Sequence, residues 1–161
     1  MILNPSNVKI SDETSSPTFI AVRQFDVECS TKVKMEFNCE NDGDEAGLTI
    51  YISNKGYYSF AKKREDGKNY IIIEKHMQNF ERVKKEIEEG IINFKIETYK
   101  ENYKFYYSIN NGEYECMGEF EVFARENAGK CFTGTLIGIY AQCSTKTNSQ
   151  AEIYSFETER L

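Results

Sequence analysis

Histidine occurs once in this 161-residue chain, as His76. A single imidazole has no companion for a zinc site, and serine or cysteine nucleophiles are left without the base that would activate them. His76 is therefore expected as a surface strand residue. No apolar run approaches the ~20 residues that cross a bilayer. Positive charge is short as well: 20 lysines and arginines face 26 acidic residues, a net charge of −6. That balance argues against nucleic acid or an anionic membrane as the main partner. The opening Met1-Ile2-Leu3-Asn4-Pro5-Ser6 lacks a basic n-region and an apolar h-region, so no export signal is expected. There is no fixed-period repeat, no low-complexity tract and no CxxC pair among the five cysteines. If Cys131 and Cys143 end one straight strand, they stand roughly 40 Å apart at ~3.3 Å per residue. A disulfide needs Cα atoms about 4.4–6.8 Å apart. Free thiols in a reducing, cytoplasmic setting are the expectation, with no metal or cofactor.

What the chain has in quantity is short alternation. The length fits one domain with a core of its own, and polar residues 1–16 read as a lead-in or linker to a domain over 17–161. Val33, Met35, Phe37 and Cys39 oppose Lys34, Glu36 and Asn38. Ile92, Phe94, Ile96 and Thr98 oppose Asn93, Lys95 and Glu97. Both patterns are those of half-buried strands. Further strands are expected over Thr18–Val27, Ala46–Ser53, Tyr57–Lys63, Asn69–Lys75, Tyr103–Ile109, Tyr114–Gly118 and Ala151–Glu159. Asp66-Gly67 and Asn110-Asn111-Gly112 are hairpin turns. Over Asn79–Gly90 the spacing of Phe80, Val83 and Ile87 fits a helix, but a run of hairpins favours a strand there. Phe120–Arg125 reads as a helical turn or a loop. About a dozen strands without a convincing long helix predict an all-β, two-sheet antiparallel jelly-roll sandwich.

The most apolar stretch is Phe132–Ala141. Apolar residues on both alternations predict a central strand buried on both faces, and Gly134 and Gly138 leave room for a close neighbour. Phe132, at its mouth, is the first candidate for an outside contact.

Four pieces, in order, carry a resemblance: Ser16-Pro17-Thr18-Phe19-Ile20 with Arg23-Gln24; Asn41 through Leu48; Phe132-Thr133-Gly134 with Ile137 through Ala141; and Ala151 through Phe156. Together they resemble the C-terminal concanavalin A-like domain of family 43 glycoside hydrolases, the β-xylosidase and α-L-arabinofuranosidase group. Three positions depart from that pattern: Val22 stands where the family has an arginine, and Tyr154-Ser155 where it has an Asp and an aromatic residue. The resemblance implies a noncatalytic accessory domain, packed on a catalytic propeller or glycosidase protomer and lining a pocket for xylo- or arabino-oligosaccharides. It implies that Phe132 lines the pocket, with Thr133 beside it, and that Arg23 and Gln24 face the partner or hold a neighbouring loop. An independent carbohydrate-binding module is the alternative.

The residues leave other readings open. Phe132 has the chemistry to pack on a sugar's apolar face and equally to fill a core. Asn41, Asp42, Asp44 and Glu45 could offer oxygens to Ca²⁺ or form a solvated turn. Tyr57, Tyr58, Tyr106 and Tyr107 fit either a glycan platform or sheet packing. Glycosidases need a paired acid and base, and no acidic pair stands out.

Overall fold

The alternating segments form strands, and their burial follows the alternation. The computed structural model describes residues 1–122 and 134–161. In chain order the strands are β1 (Ile2–Leu3), β2 (Thr18–Arg23), β3 (Glu28–Phe37), β4 (Glu45–Ser53), β5 (Gly56–Glu65), β6 (Lys68–His76), β7 (Glu81–Ile87), β8 (Ile92–Tyr99), β9 (Asn102–Ile109), β10 (Glu115–Glu121), β11 (Leu136–Gln142) and β12 (Ala151–Arg160). They make two six-stranded antiparallel sheets: sheet A, in the order β1-β12-β3-β8-β9-β10, and sheet B, in the order β2-β11-β4-β5-β6-β7. This is the expected sandwich.

The sheets face each other through one set of alternations. Met35 and Phe37, Phe94 and Ile96, and Phe105 and Tyr107 of sheet A meet Leu48, Phe60, Ile71, Ile73 and Ile139 of sheet B. Full burial of such side chains contributes about 1.5–3 kcal/mol each before entropy is counted. The hairpins are set by residues that accept positive φ: Asp66 (49°) with Gly67 (74°), and Asn110 (51°) with Asn111 (62°). These are type I′ turns, whose twist matches the flanking strands.

Asn79–Gly90 contains strand β7, as the run of hairpins favoured: it pairs with β6 from Asn69 to Lys75, and the helical spacing of Phe80, Val83 and Ile87 forms no helix. Three expectations change. Phe120 and Glu121 are not a turn but complete β10, opposite Tyr103 and Asn102. The apolar stretch enters its strand only at Leu136, and β11 lies one place in from the edge of sheet B rather than at its centre. It is nevertheless buried on both faces from Ile137 onward. Residues 1–16, read as a lead-in, belong to the sandwich: β1 pairs with β12, Leu3 is buried in the main core, and Ile10 is buried elsewhere.

Ile10 accounts for an uncommon feature. The outer face of sheet B carries a second apolar cluster of Tyr57, Ala61, Ile72 and Tyr140, and Ile10 closes over it. Residues 6–13 cross that face as a strap. The strap is held where the Ile10 N–H donates to Gln142 Oε1 (3.3 Å), where Lys9 Nζ donates to the Cys143 carbonyl (3.1 Å), and where Asn54 Nδ2 donates to Glu13 Oε1 (2.6 Å).

Candidate functional site

Phe132 and Thr133, with Cys131, lie outside the described residues. The chain on either side of them is anchored at one end of the sandwich. The Val122 N–H donates to the Glu101 carbonyl (2.7 Å), the Lys100 N–H to the Val27 carbonyl (2.9 Å), and the Gln24 N–H to the Thr135 carbonyl (2.9 Å). These bonds bring the β2–β3 connection, the β8–β9 turn, the end of β10 and the approach to β11 together. Gly134 has φ of 76°, a conformation that side chains with a Cβ rarely adopt. Lys100, Glu101, Asn102, Glu121 and Val122 line an open cleft of about 520 Å³ here.

Arg23 and Gln24 stand at this end. Arg23 is the exposed last residue of β2, opposite Leu136, and no described carboxylate pairs with it. Gln24 Nε2 donates to the Asp26 carbonyl (2.9 Å), while its Oε1 is buried without a hydrogen-bond partner. A buried amide oxygen left unpaired costs about 1–3 kcal/mol. Asp26 is paired with Arg160 (3.0 Å). Between these polar residues, Phe25 is 48% exposed and Val27 59%. Sequence reasoning missed Phe25 and Val27; the pair looked like the tail of a strand, but the chain bends after Arg23.

The other charged candidates serve the fold. Asp44 is fully buried, and its Oδ2 accepts from the Glu40 and Asn41 N–H groups (3.1 and 3.0 Å), Thr147 Oγ1 (2.8 Å) and Ser149 Oγ (2.6 Å). Asp42 turns toward Arg64 (3.6 Å). Glu45 points into the outer-face cluster, accepting from the Tyr140 hydroxyl and pairing with Lys63 (3.2 Å). These oxygens diverge, so this is neither a solvated turn nor a cation cage. Among the described residues no group of three or more His, Cys, Asp or Glu is placed to hold a metal.

Lys63 also reaches Glu74 (3.5 Å), which pairs with His76 (3.1 Å) and Arg82 (3.1 Å). Burial pushes the Glu74 carboxyl up, but His76, Lys63 and Arg82 outweigh it and hold it below the usual carboxylate range. Burial pulls the Lys63 ammonium down, but Glu45 and Glu74 outweigh that and raise it. Every described carboxylate with a displaced pKa moves downward: Asp12, Glu65, Glu74, Glu97 and Glu115. A glycosidase general acid needs the opposite displacement.

The tyrosines do not form a platform. Tyr58 lies in the main core. Tyr57 is buried in the outer-face cluster and stacks on His76 at 4.2 Å, so His76 packs on the sheet rather than standing free. Lys95 covers the Tyr106 ring at 4.1 Å, and Lys85 lies over that of Tyr107 at 5.6 Å.

The fold is thus that of a concanavalin A-like sandwich, with Arg23, Gln24 and the exposed Phe25 and Val27 at one end. Over residues 3–159 the chain matches the family model of the beta xylosidase C-terminal concanavalin A-like domain, and it belongs to that family. Its architecture is shared by the GH43B protein of a Bacteroides ovatus xyloglucan PUL, with a TM-score of 0.91, 22% identity, and coverage of 99% of this chain and 32% of that one. A xylan beta-1,4-xylosidase from Bacillus halodurans matches with a TM-score of 0.87 and 20% identity, over 97% of this chain and 32% of that one. A functionally unknown protein from Saccharomyces cerevisiae matches at 0.79 and 11%, over 99% of this chain and 86% of its own length. The chain spans about a third of the family 43 structures it resembles.

Proposed function

We propose that this chain is a noncatalytic accessory domain of a family 43 glycosidase. In this reading it packs on a catalytic propeller through the end that carries Arg23 and Gln24, and Phe132 and Thr133 line a pocket for a xyloside or arabinoside. The observation that carries the reading is the state of that end: exposed Phe25 and Val27 follow an Arg23 and a Gln24 amide oxygen that have no partner among the described residues. Apolar surface interspersed with polar groups that lack partners is what a docking surface offers. The family match and the likeness to a xylan beta-1,4-xylosidase support the sugar class. The free thiols of Cys29, Cys39, Cys116 and Cys143 support a reducing, cytoplasmic compartment.

Purified chain assayed with 4-nitrophenyl β-xyloside and α-L-arabinofuranoside is expected to give no turnover. Hydrolysis that disappears when two of its own carboxylates are replaced would overturn the reading. In a polypeptide carrying both propeller and sandwich, Phe132→Ala is expected to lower kcat/KM about tenfold, equivalent to 1.4 kcal/mol, with thermal stability unchanged. Unaltered kinetics would remove Phe132 from the pocket.

A further inference from the structure

The sheet edges are unequally guarded. Edge strands expose rows of free N–H and C=O groups, and proteins blunt them with charge, proline or shortness. On β7 the charges are Glu81, Arg82, Lys84, Lys85 and Glu86, and Lys85 ties it to Glu115 of β10 (2.7 Å). β1 is two residues long and is soon followed by Pro5. β2 has only Arg23, at its last position. Thr18–Val22 is uncharged, and Ile20 and Val22 are 50% and 42% exposed.

The register shows which backbone groups of β2 are free. β2 pairs with β11 without a shift from Thr18↔Ala141 to Arg23↔Leu136, and Gln24 continues the ladder by donating to Thr135. Hydrogen-bonded and open positions alternate along such a ladder. Gln24, Val22, Ile20 and Thr18 therefore direct their backbone toward β11. The Ile20 carbonyl agrees, lying where a Cβ on Gly138 would collide with it. Phe19, Ala21 and Arg23 present their N–H and C=O groups outward.

That outward set is complementary to itself. We propose that β2 pairs with β2 of a second copy across a two-fold axis, antiparallel, with Ala21 opposite Ala21, so that sheet B runs on into its partner. In this register Phe19 meets Arg23 of the other copy, and each outward N–H finds an outward C=O. Ile20 falls opposite Val22 on the inner-facing side, so the exposed apolar side chains cover one another. The one charge of the strand, Arg23, lies over a phenylalanine ring rather than another cation, a favourable arrangement. A single strand edge buries less than the ~1,200 Å² of stable complexes, so the dimer forms reversibly with concentration. The exposed Ile20 and Val22 and the single charge of β2 are each matched by the reversed strand, which makes a second copy the occupant.

Sedimentation equilibrium of the whole chain, from about 10 μM to 1 mM, is expected to show mass rising toward twice the monomer. Ala21→Pro removes an outward N–H and leaves the bonds to β11 intact, a placement that edge strands tolerate. Val22→Lys places like charges near the axis. Each is expected to weaken dimerisation at least ~10-fold with an unchanged circular dichroism spectrum. Amide exchange gives a second test in the unsubstituted chain: Phe19, Ala21 and Arg23 slow as concentration rises, while Ile20 and Val22 are protected throughout. A monomer at every concentration overturns the proposal. So does growth beyond the dimer, a dimer that neither variant weakens, or exchange at Phe19, Ala21 and Arg23 that ignores concentration. If a variant loses its sheet signal, the exchange pattern decides.

Discussion

Lys62 has no exposed surface, although lysine is among the residues least often buried. It follows Phe60 on the inner alternation of β5, and its ammonium donates to the Phe37 carbonyl (2.6 Å) and pairs with Glu89. Lys62→Ala leaves a void and an unpaired carbonyl, and is expected to cost about 2–5 kcal/mol. Lys62→Met fills the void but leaves the same carbonyl unpaired, and is expected to cost less than Lys62→Ala, about 1–3 kcal/mol. Urea denaturation of both variants checks the order. Glu74 supplies a pH prediction. Its folded pKa is lowered, so its contribution is present above its ordinary value near 4.5 and lost as pH falls through the lowered folded value. Glu74→Gln should therefore flatten the acid limb of a stability–pH curve between neutrality and pH ~3; an unchanged slope would show that other carboxylates set it. Neither role was legible in the sequence. A lysine ending an apolar alternation reads as solvent-facing, and Glu74 gains its partners from β5 and β7.

At the scale of elements, strands with one buried face were legible and their margins less so. β3 and β8 alternate cleanly because one side meets the core and the other meets water. β11 gives no alternation, since the strap buries its outer side as sheet A buries its inner side. β10 escaped recognition beyond Gly118 because a bulge between Cys116 and Gly118 breaks its register, and with it the period of two. Gly138 is the point on β11 where β2 comes closest. Gly138→Ala would force a methyl against the Ile20 carbonyl and Ala21, and is expected to destabilise by about 1–3 kcal/mol. Amide exchange would then show β2 opening before the rest of sheet B. Loss of protection spread evenly over the sheet would contradict a local collision.

For the whole molecule, residues 1–16 were the least legible part. Their polarity suits a linker, and nothing local announces that Ile10 crosses a sheet. Ile10→Ala is expected to cost about 2–4 kcal/mol and to expose the Tyr57–Tyr140 cluster. Tyrosine fluorescence quenching by iodide measures this. Of the candidate site, Arg23 and Gln24 were legible as polar residues in an apolar strand. The hydrogen bonds that gather this end, Gln24 to Thr135 and Lys100 to Val27, join residues distant in sequence.

Those distant contacts also govern time. Met1 and Ile2 join β12, and β2 joins β11, so each sheet is closed on one side by pairing the start of the chain with its end. Pairings of such separation make folding slow, on the order of milliseconds to seconds. On a ribosome neither sheet can be completed until the last strands have emerged. Through that interval β2, the strand with the least guarded edge, waits with both of its edges unpaired. Its rate of misassociation is then set by the speed of synthesis, and a refolding yield that falls with protein concentration is the expected mark.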